Sequence, residues 1–384
     1  MTKKIVLDEN ISDNIDIELY YLGRIGKPLC QLSNNEHLFY KHGDLYTYNS
    51  DTNIAERYCI LLQSPFLRLI SRFRIIERIL RLEPRSALFD GSNLFISQNG
   101  QMITVDYTSK KILCQYKYRD GMLNPLTISS ISDIKGFDDM IVFGEYWGNP
   151  NSEKVRIFAK CYDCEDWGEI YSFPENSVKH VHNIIPDKEH DCVYIFTGDA
   201  DICSGIWEAR DNFKTVTPLA IGKQEFRACQ AIPTNSGLLY ATDSPLVSNK
   251  LNQIQFGFQN REPIVTTIAD LPGSCIYGCY HNNKWFIFST TVEGIPDQPI
   301  LKRFLSQKLG VGIHDRFTHI YIYHHSIGLK EIQKHEKDRI PMGLGQFGTV
   351  MFSPSAMNVY LYPVAVKKYD GKTLLLKISD KNRN

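Results

Sequence analysis

The stretch KHVHNIIPDKEHDCVYIFTGDADICSGIWEARDNFKTV, Lys179 to Val216, decides the fold. From His180 to Ile185 it reads as a short strand with His180 and His182 on one face, because strand side chains alternate at period two. Pro186 to Asp191 is a polar turn cluster. Val193 to Thr197 is apolar, β-branched and aromatic, the composition of a strand buried on both faces. It ends on Gly198-Asp199, which leaves a carboxylate at the strand's C-terminal end. A third strand follows around Gly205 to Ala209, then a turn at Asp211-Asn212 and a fourth strand. Four strands joined by short turns make one blade of a β-propeller.

The same unit recurs, because one such blade cannot bury its own apolar face. Ile141-Val142-Phe143-Gly144-Glu145, Ile195-Phe196-Thr197-Gly198-Asp199 and Leu239-Tyr240-Ala241-Thr242-Asp243 are apolar strands ending on an acid. Phe286 to Thr290, running on to Glu293, continues the series. The offsets are about 44–54 residues, the span of a four-stranded blade. A preceding strand keeps step, at Asn124 to Thr127, His180 to His182, Arg227 to Gln230 and Ser274 to Tyr277. An acidic turn also repeats, Cys161-Tyr162-Asp163-Cys164-Glu165-Asp166-Trp167 before Arg210-Asp211-Asn212-Phe213, with Asp163 and Asp211 48 positions apart.

These periods predict an all-β chain, one β-propeller over residues 1–384, with six blades as the favoured count and seven as the alternative. Residues 1–63 hold strand-like pieces that form a first blade or supply the strand closing the ring. Ser64-Pro65 is an N-cap and first helical position, and residues 64–83, within an insertion at 64–85, read as one basic amphipathic helix. Phe66, Ile70, Phe73, Ile76 and Leu80 share a stripe at helical spacing. Arg68, Arg72, Arg74, Arg78, Arg81 and Arg85 make the segment basic. The reading taken packs the apolar stripe on the propeller and solvates the arginines; the other has the basic helix contact an anionic ligand or surface. Residues 294–316, rich in Gly, Pro and charge, read as a long loop at the rim of a site.

Composition excludes several classes. Lys+Arg and Asp+Glu both number 43, for zero formal net charge, so no whole-chain field draws nucleic acid. No run is long and apolar enough for a transmembrane segment. Met1 to Glu9 lacks the apolar core of a secretion signal. Ten cysteines without that signal are expected as reduced thiols, and the location as cytoplasmic. Cys161-x-x-Cys164 lacks the second pair a structural zinc site needs. Gly343-x-Gly345-x-x-Gly348 precedes a strand rather than a helix, so it does not cradle a phosphate.

In a propeller, residues at one phase of the repeat converge at the channel mouth. The catalytic candidates are His180, His182, Asp199, Arg227 and Glu145. The substrate-binding candidates are Asn124, Gln224, Asp243, Glu293 and Gln346, with Tyr146, Trp147 and Trp207 as faces for sugar rings. Three chemistries fit: a carboxylate pair for glycoside hydrolysis, a His base with Arg227 for uronate elimination, or a divalent metal on His180, His182 and Asp199. Hydrogen-bonding histidines and turn-forming acids are the plainer readings of the same residues.

On the turns at Asp163 and Asp211 and the blade period, the chain resembles the sialidase-like, Asp-box (BNR-repeat) β-propellers over roughly residues 86 to 378. The aspartate of the Ser-x-Asp-x-Gly-x-x-Trp turn is kept at Asp211, while its serine, glycine and tryptophan are replaced. The resemblance implies binding or processing of a carbohydrate or sugar conjugate, in cell-surface polysaccharide metabolism, with glycosidase or polysaccharide lyase as the enzyme classes. The sialidase arginine triad has no counterpart beyond Arg227, and the Arg-Ile-Pro motif is absent. A non-catalytic propeller scaffolding protein partners is the alternative, and a metal-dependent lyase the second.

Overall fold

The computed structural model describes residues 3–5, 7, 15–161, 164, 166–257, 262–296 and 299–380. Among them the strands form seven antiparallel sheets, one more than the favoured count of six. Sheets I to VI each take four strands consecutive in sequence, over residues 27–60, 86–117, 129–173, 181–221, 228–271 and 274–336. Sheet VII takes Thr349–Pro354, Val359–Val364 and Thr373–Asp380 from the end of the chain. Its fourth and fifth strands come from the beginning, Ile15–Gly23 and Lys3–Ile5. Residues 27–60 make a sheet of their own, and Lys3–Ile5 and Ile15–Gly23 pair into sheet VII. That is where the seventh sheet comes from.

The chain divides into two compact units. The first comprises Met1–Glu83, Pro245–Asn249 and Leu271–Asn384; the second comprises Pro84–Ser244 and Lys250–Asp270.

In the second unit, sheet IV has the strands Val181–Asp187, Cys192–Thr197, Gly205–Arg210 and Thr215–Ile221. The polar turn works as its composition requires. Asp187 Oδ1 accepts from the backbone N–H of Glu189 and His190 at 3.0 and 3.3 Å, and Oδ2 meets His190 Nδ1 at 2.7 Å. All six residues of Cys192–Thr197 are buried. Period two sends Val193 and Ile195 into one apolar cluster, with Val142, Ile157 and Phe173 of sheet III. It sends Cys192, Tyr194 and Phe196 into another, with Leu238, Tyr240 and Ile254 of sheet V. Each such side chain contributes about 1.5–3 kcal/mol on burial, so stacking on sheets III and V holds sheet IV.

In the first unit, Ile15–Gly23 runs antiparallel to Thr373–Asp380 with Leu19 opposite Leu376. Both are fully buried, in a cluster with Ile287, Ile320, Ile332 and Leu361. Segment 64–83 is two short helices rather than one, Pro65–Ile70 and Arg74–Ile79. Ser64 caps the first as expected, its Oγ accepting from Leu67 N at 3.3 Å. The rim loop contains a helix, Ile300–Leu305, and a bridge between Gly294 and Leu309; Asp297 and Gln298 lie outside the described residues.

Candidate functional site: a buried imidazole–carboxylate cluster

The cluster belongs wholly to the second unit. His182 lies in the first strand of sheet IV and His180 just before it; both are buried. The strand that follows ends at Thr197, and Gly198 brings the chain against the histidines. A Cβ at Gly198 would lie 2.1 Å from His182 Cε1, so only glycine fits. Asp199 then takes φ +87°, a conformation rare outside glycine, which turns its carboxylate back toward the rings.

His180 Nε2 and His182 Nε2 stand 2.9 Å apart, and Asp199 Oδ1 lies 3.6 and 3.9 Å from them. The other ring nitrogens are taken: His180 Nδ1 lies 2.7 Å from Trp147 O and His182 Nδ1 3.0 Å from Ala228 O. Burial pushes both imidazoles below their ordinary pKa, most strongly at His182, where His180 and Arg227 add to it.

Arg227 holds the carboxylate. Its Nη2 lies 2.9 Å from Asp199 Oδ1, its Nη1 donates to Asp199 O at 3.0 Å, and its Nε lies 3.6 Å from Asp243 Oδ2. Burial works to raise the Asp199 carboxyl, but His180, Arg227 and His182 outweigh it and bring it down to about 2. Asp243 differs: burial dominates and its pKa is raised. Cys229 Sγ donates to Asp243 Oδ2 at 3.2 Å, while Asp243 Oδ1 has no hydrogen-bond partner among the described residues. Gln224 Nε2 donates to Asp199 O at 3.0 Å and its Oε1 accepts from Ser244 Oγ at 2.7 Å. The Tyr146 ring lies 4.4 Å from that of His180 and carries the Arg85 guanidinium 4.6 Å from its centroid.

Of the residues singled out from the sequence, His180, His182, Asp199, Arg227, Gln224, Asp243 and Tyr146 therefore come together, and Trp147 contributes its carbonyl. Glu145 does not join them. It is buried in ion pairs with Arg119 and Arg156, at 2.9 and 3.4 Å, and accepts from Arg156 N at 2.9 Å. The Trp147 ring lies under Arg119 at 4.1 Å, and Trp207 packs on Phe173 while donating to Thr197 Oγ1, so neither offers a free face from this cluster. Asn124 accepts from Gly100 N and braces a turn. Glu293 and Gln346 lie in the first unit, where Glu293 accepts from Ser274 Oγ at 2.7 Å and Gln346 donates to Arg78 O at 2.9 Å. Asp163 lies outside the described residues. Asp211 does sit in the turn before the last strand of sheet IV, with positive φ at Asp211, Asn212 and Phe213. Cys229 and Arg85 were not among the site candidates, Arg85 being read as part of the basic segment; Cys229 could have been found two residues after Arg227 on its strand.

A second feature belongs to the first unit and reverses an expectation. Across 64–83 Arg74, Glu77 and Arg78 turn inward, while Arg72 and Arg81 stay exposed. Arg78 donates to Gly345 O and pairs with Asp338 at 2.7 Å and Asp370 at 3.3 Å. Arg74 pairs with Glu83, Glu77 and Asp370 at 2.9, 3.1 and 3.2 Å. Burial and the neighbouring Glu83 push Glu77 up, against the pull of Arg74. Outward stand Phe66, Leu69, Phe73, Ile75, Ile76, Ile79 and Leu80, from 37% to 68% exposed. The apolar stripe is not packed on the blades, because the acids of Asp338 and Asp370 recruit the arginines instead.

Fold and cluster together define a β-propeller with a buried, convergent polar centre. No family model matches the chain, and no curated protein matches it. Solved structures do. The chain is similar to the AfRom2 CNH domain (7% identity, TM-score 0.53, covering 99% of this chain and all of that one). It is similar to a chain of the mitotic checkpoint complex (10% identity, TM-score 0.51, 99% and 94% covered). It also matches the Cps50 (Swd1) β-propeller domain of Myceliophteria thermophila (8% identity, TM-score 0.50, 98% and 99% covered). At these identities the likeness concerns the fold: the chain is an all-β, seven-bladed β-propeller. None of the three is described as a sialidase-like propeller, so the Asp-box resemblance rests on the Asp211 turn and the blade spacing.

Proposed function

We propose that the chain is a non-catalytic propeller that scaffolds protein partners, with the apolar face of Pro65–Ile70 and Arg74–Ile79 as a docking surface. The observation that carries this reading is the outward row of seven large apolar side chains between Phe66 and Leu80. Left in water, that row costs free energy that a partner would recover. The occupant that fits is an amphipathic helix of a partner protein with an acidic rim. Arg72 and Arg81 are exposed beside the row, and the one acid between Gln63 and Leu82, Glu77, is buried. One of the similar folds was solved within a multiprotein assembly, the mitotic checkpoint complex. Sugar processing has weaker support. Of the carboxylates singled out for it, Glu145 is held by two arginines and Asp243 is buried, so neither stands across a groove from Asp199.

The test compares the full chain with a Phe66→Ser/Phe73→Ser/Ile76→Ser variant of unchanged circular dichroism. Protein partners are cross-linked in the source cells, and both chains are sedimented with vesicles containing 30% phosphatidylserine. The reading expects a partner in fixed stoichiometry that contacts this face in the cross-link map, is lost with the triple variant, and no vesicle binding. Vesicle binding abolished by the triple variant makes the face a membrane contact, and self-association abolished by it makes the occupant a second copy. Either result overturns the proposal.

A further inference from the structure

The histidine cluster is not used by the scaffold reading, and its hydrogen bonding leaves it incomplete. The oxygens facing the two Nδ1 atoms are backbone carbonyls, which only accept. Each ring must therefore carry its proton on Nδ1 and present a bare lone pair at Nε2. Two bare lone pairs then face one another at 2.9 Å, with a carboxylate oxygen beside them. Arg227 Nη2 lies 2.9 Å from the carboxylate oxygen, but the two facing nitrogens repel unless a cation lies between them.

We propose that a divalent metal ion of the zinc class binds between His180 Nε2, His182 Nε2 and Asp199 Oδ1. The three atoms are separated by 2.9, 3.6 and 3.9 Å, and the circle through them has a radius of about 2.0 Å, the length of a zinc–imidazole bond. Donation of the distal ring proton to a backbone carbonyl is the arrangement that orients metal-binding histidines and raises their basicity. Two imidazoles and one carboxylate suit zinc or a neighbouring first-row ion rather than calcium or magnesium, which want oxygen. The Asp199 side chain is 44% exposed, so the fourth position opens to solvent. Arg227 opposes the cation, since its Nη2 lies 2.9 Å from the same oxygen; Asp243, 3.6 Å from Arg227 Nε, offsets part of that charge.

The experiment uses the full chain, stripped with chelator and titrated with Zn2+ by calorimetry and with Co2+ by absorption spectroscopy. The comparison chains are His180→Gln/His182→Gln, and Asp199→Asn, whose half-exposed side chain keeps an oxygen to accept from Arg227. The expected result is one ion per chain, with cobalt bands of a four- or five-coordinate N/O site. The histidine pair should abolish this, and Asp199→Asn should weaken it at least tenfold while the melting temperature of the metal-free protein holds. Equal zinc uptake by all three chains would place the ion elsewhere, at thiols such as Cys161 and Cys164, and sink the proposal. So would no uptake at millimolar Zn2+ together with an imidazole proton shared between His180 and His182 in the NMR spectrum.

Discussion

Substituting Arg78 by alanine tests the inverted helix on which the docking surface depends. Arg78 is 2% exposed. Its guanidinium meets Asp338, Asp370 and the carbonyl of Gly345, so truncation takes one cation from each carboxylate, leaving Lys337 on Asp338 and Arg74 on Asp370, and bares the carbonyl. Removing one partner of a buried ion pair costs about 3–5 kcal/mol, a large part of the roughly 5–15 kcal/mol that holds a domain folded. With a urea dependence of about 3 kcal/mol/M, the midpoint should fall by roughly 1 M or more. Urea is the denaturant to use, because guanidinium chloride would screen the interactions under test. Tryptophan fluorescence follows the transition, Trp285 being the buried reporter of this unit. In parallel, Phe73→Ser and Ile75→Ser, at 59% and 56% exposure, should each move stability by no more than about 0.5 kcal/mol. A helix packed by its apolar stripe demands the reverse, a near-neutral Arg78→Ala and a loss of about 2–5 kcal/mol at Phe73. That reversal would refute the orientation.

Two further outcomes follow from the packing. Gly198→Ala, whose Cβ would meet His182 at 2.1 Å, should lower stability by about 1–3 kcal/mol through forced displacement of the ring. A melting temperature equal to wild type would show that the loop has room to move. Deleting residues 1–23 removes the strand beside Thr373–Asp380; the bared edge should self-associate in light scattering, and a monomeric, equally stable product would contradict the pairing.

Much of the fold was legible because blades are local. In sheet IV the strands follow one another through short turns, so the alternation of Val193 to Thr197 and the turn chemistry of Asp187 sit within one stretch of chain. The blade count was less legible. Sheet VII pairs residues 15–23 with 373–380, and no local pattern announces a partner some 350 positions away, which is why six was favoured over seven. The phase argument brought forward His180, His182, Asp199 and Arg227, since equivalent strand ends occupy equivalent places in successive blades. It also brought forward Glu145, at the phase of Asp199; the paired Arg119 and Arg156 draw that carboxylate away, and nothing in the strand pattern reveals them.

The sequence alone determined the strand periodicity, the turns and the phase at which polar residues recur, because these follow from backbone geometry and the side chains of one short segment. Only the tertiary structure decided which face of residues 64–83 turns inward. Helical spacing places the apolar and basic residues on opposite sides, but inside is set by what the helices meet. Here they meet Asp338, Asp370 and the Gly345 carbonyl, acceptors that draw Arg74 and Arg78 inward and leave Phe66 and Phe73 in water. The protonation of the histidine pair was decided in the same way, by the carbonyls of Trp147 and Ala228 on neighbouring blades.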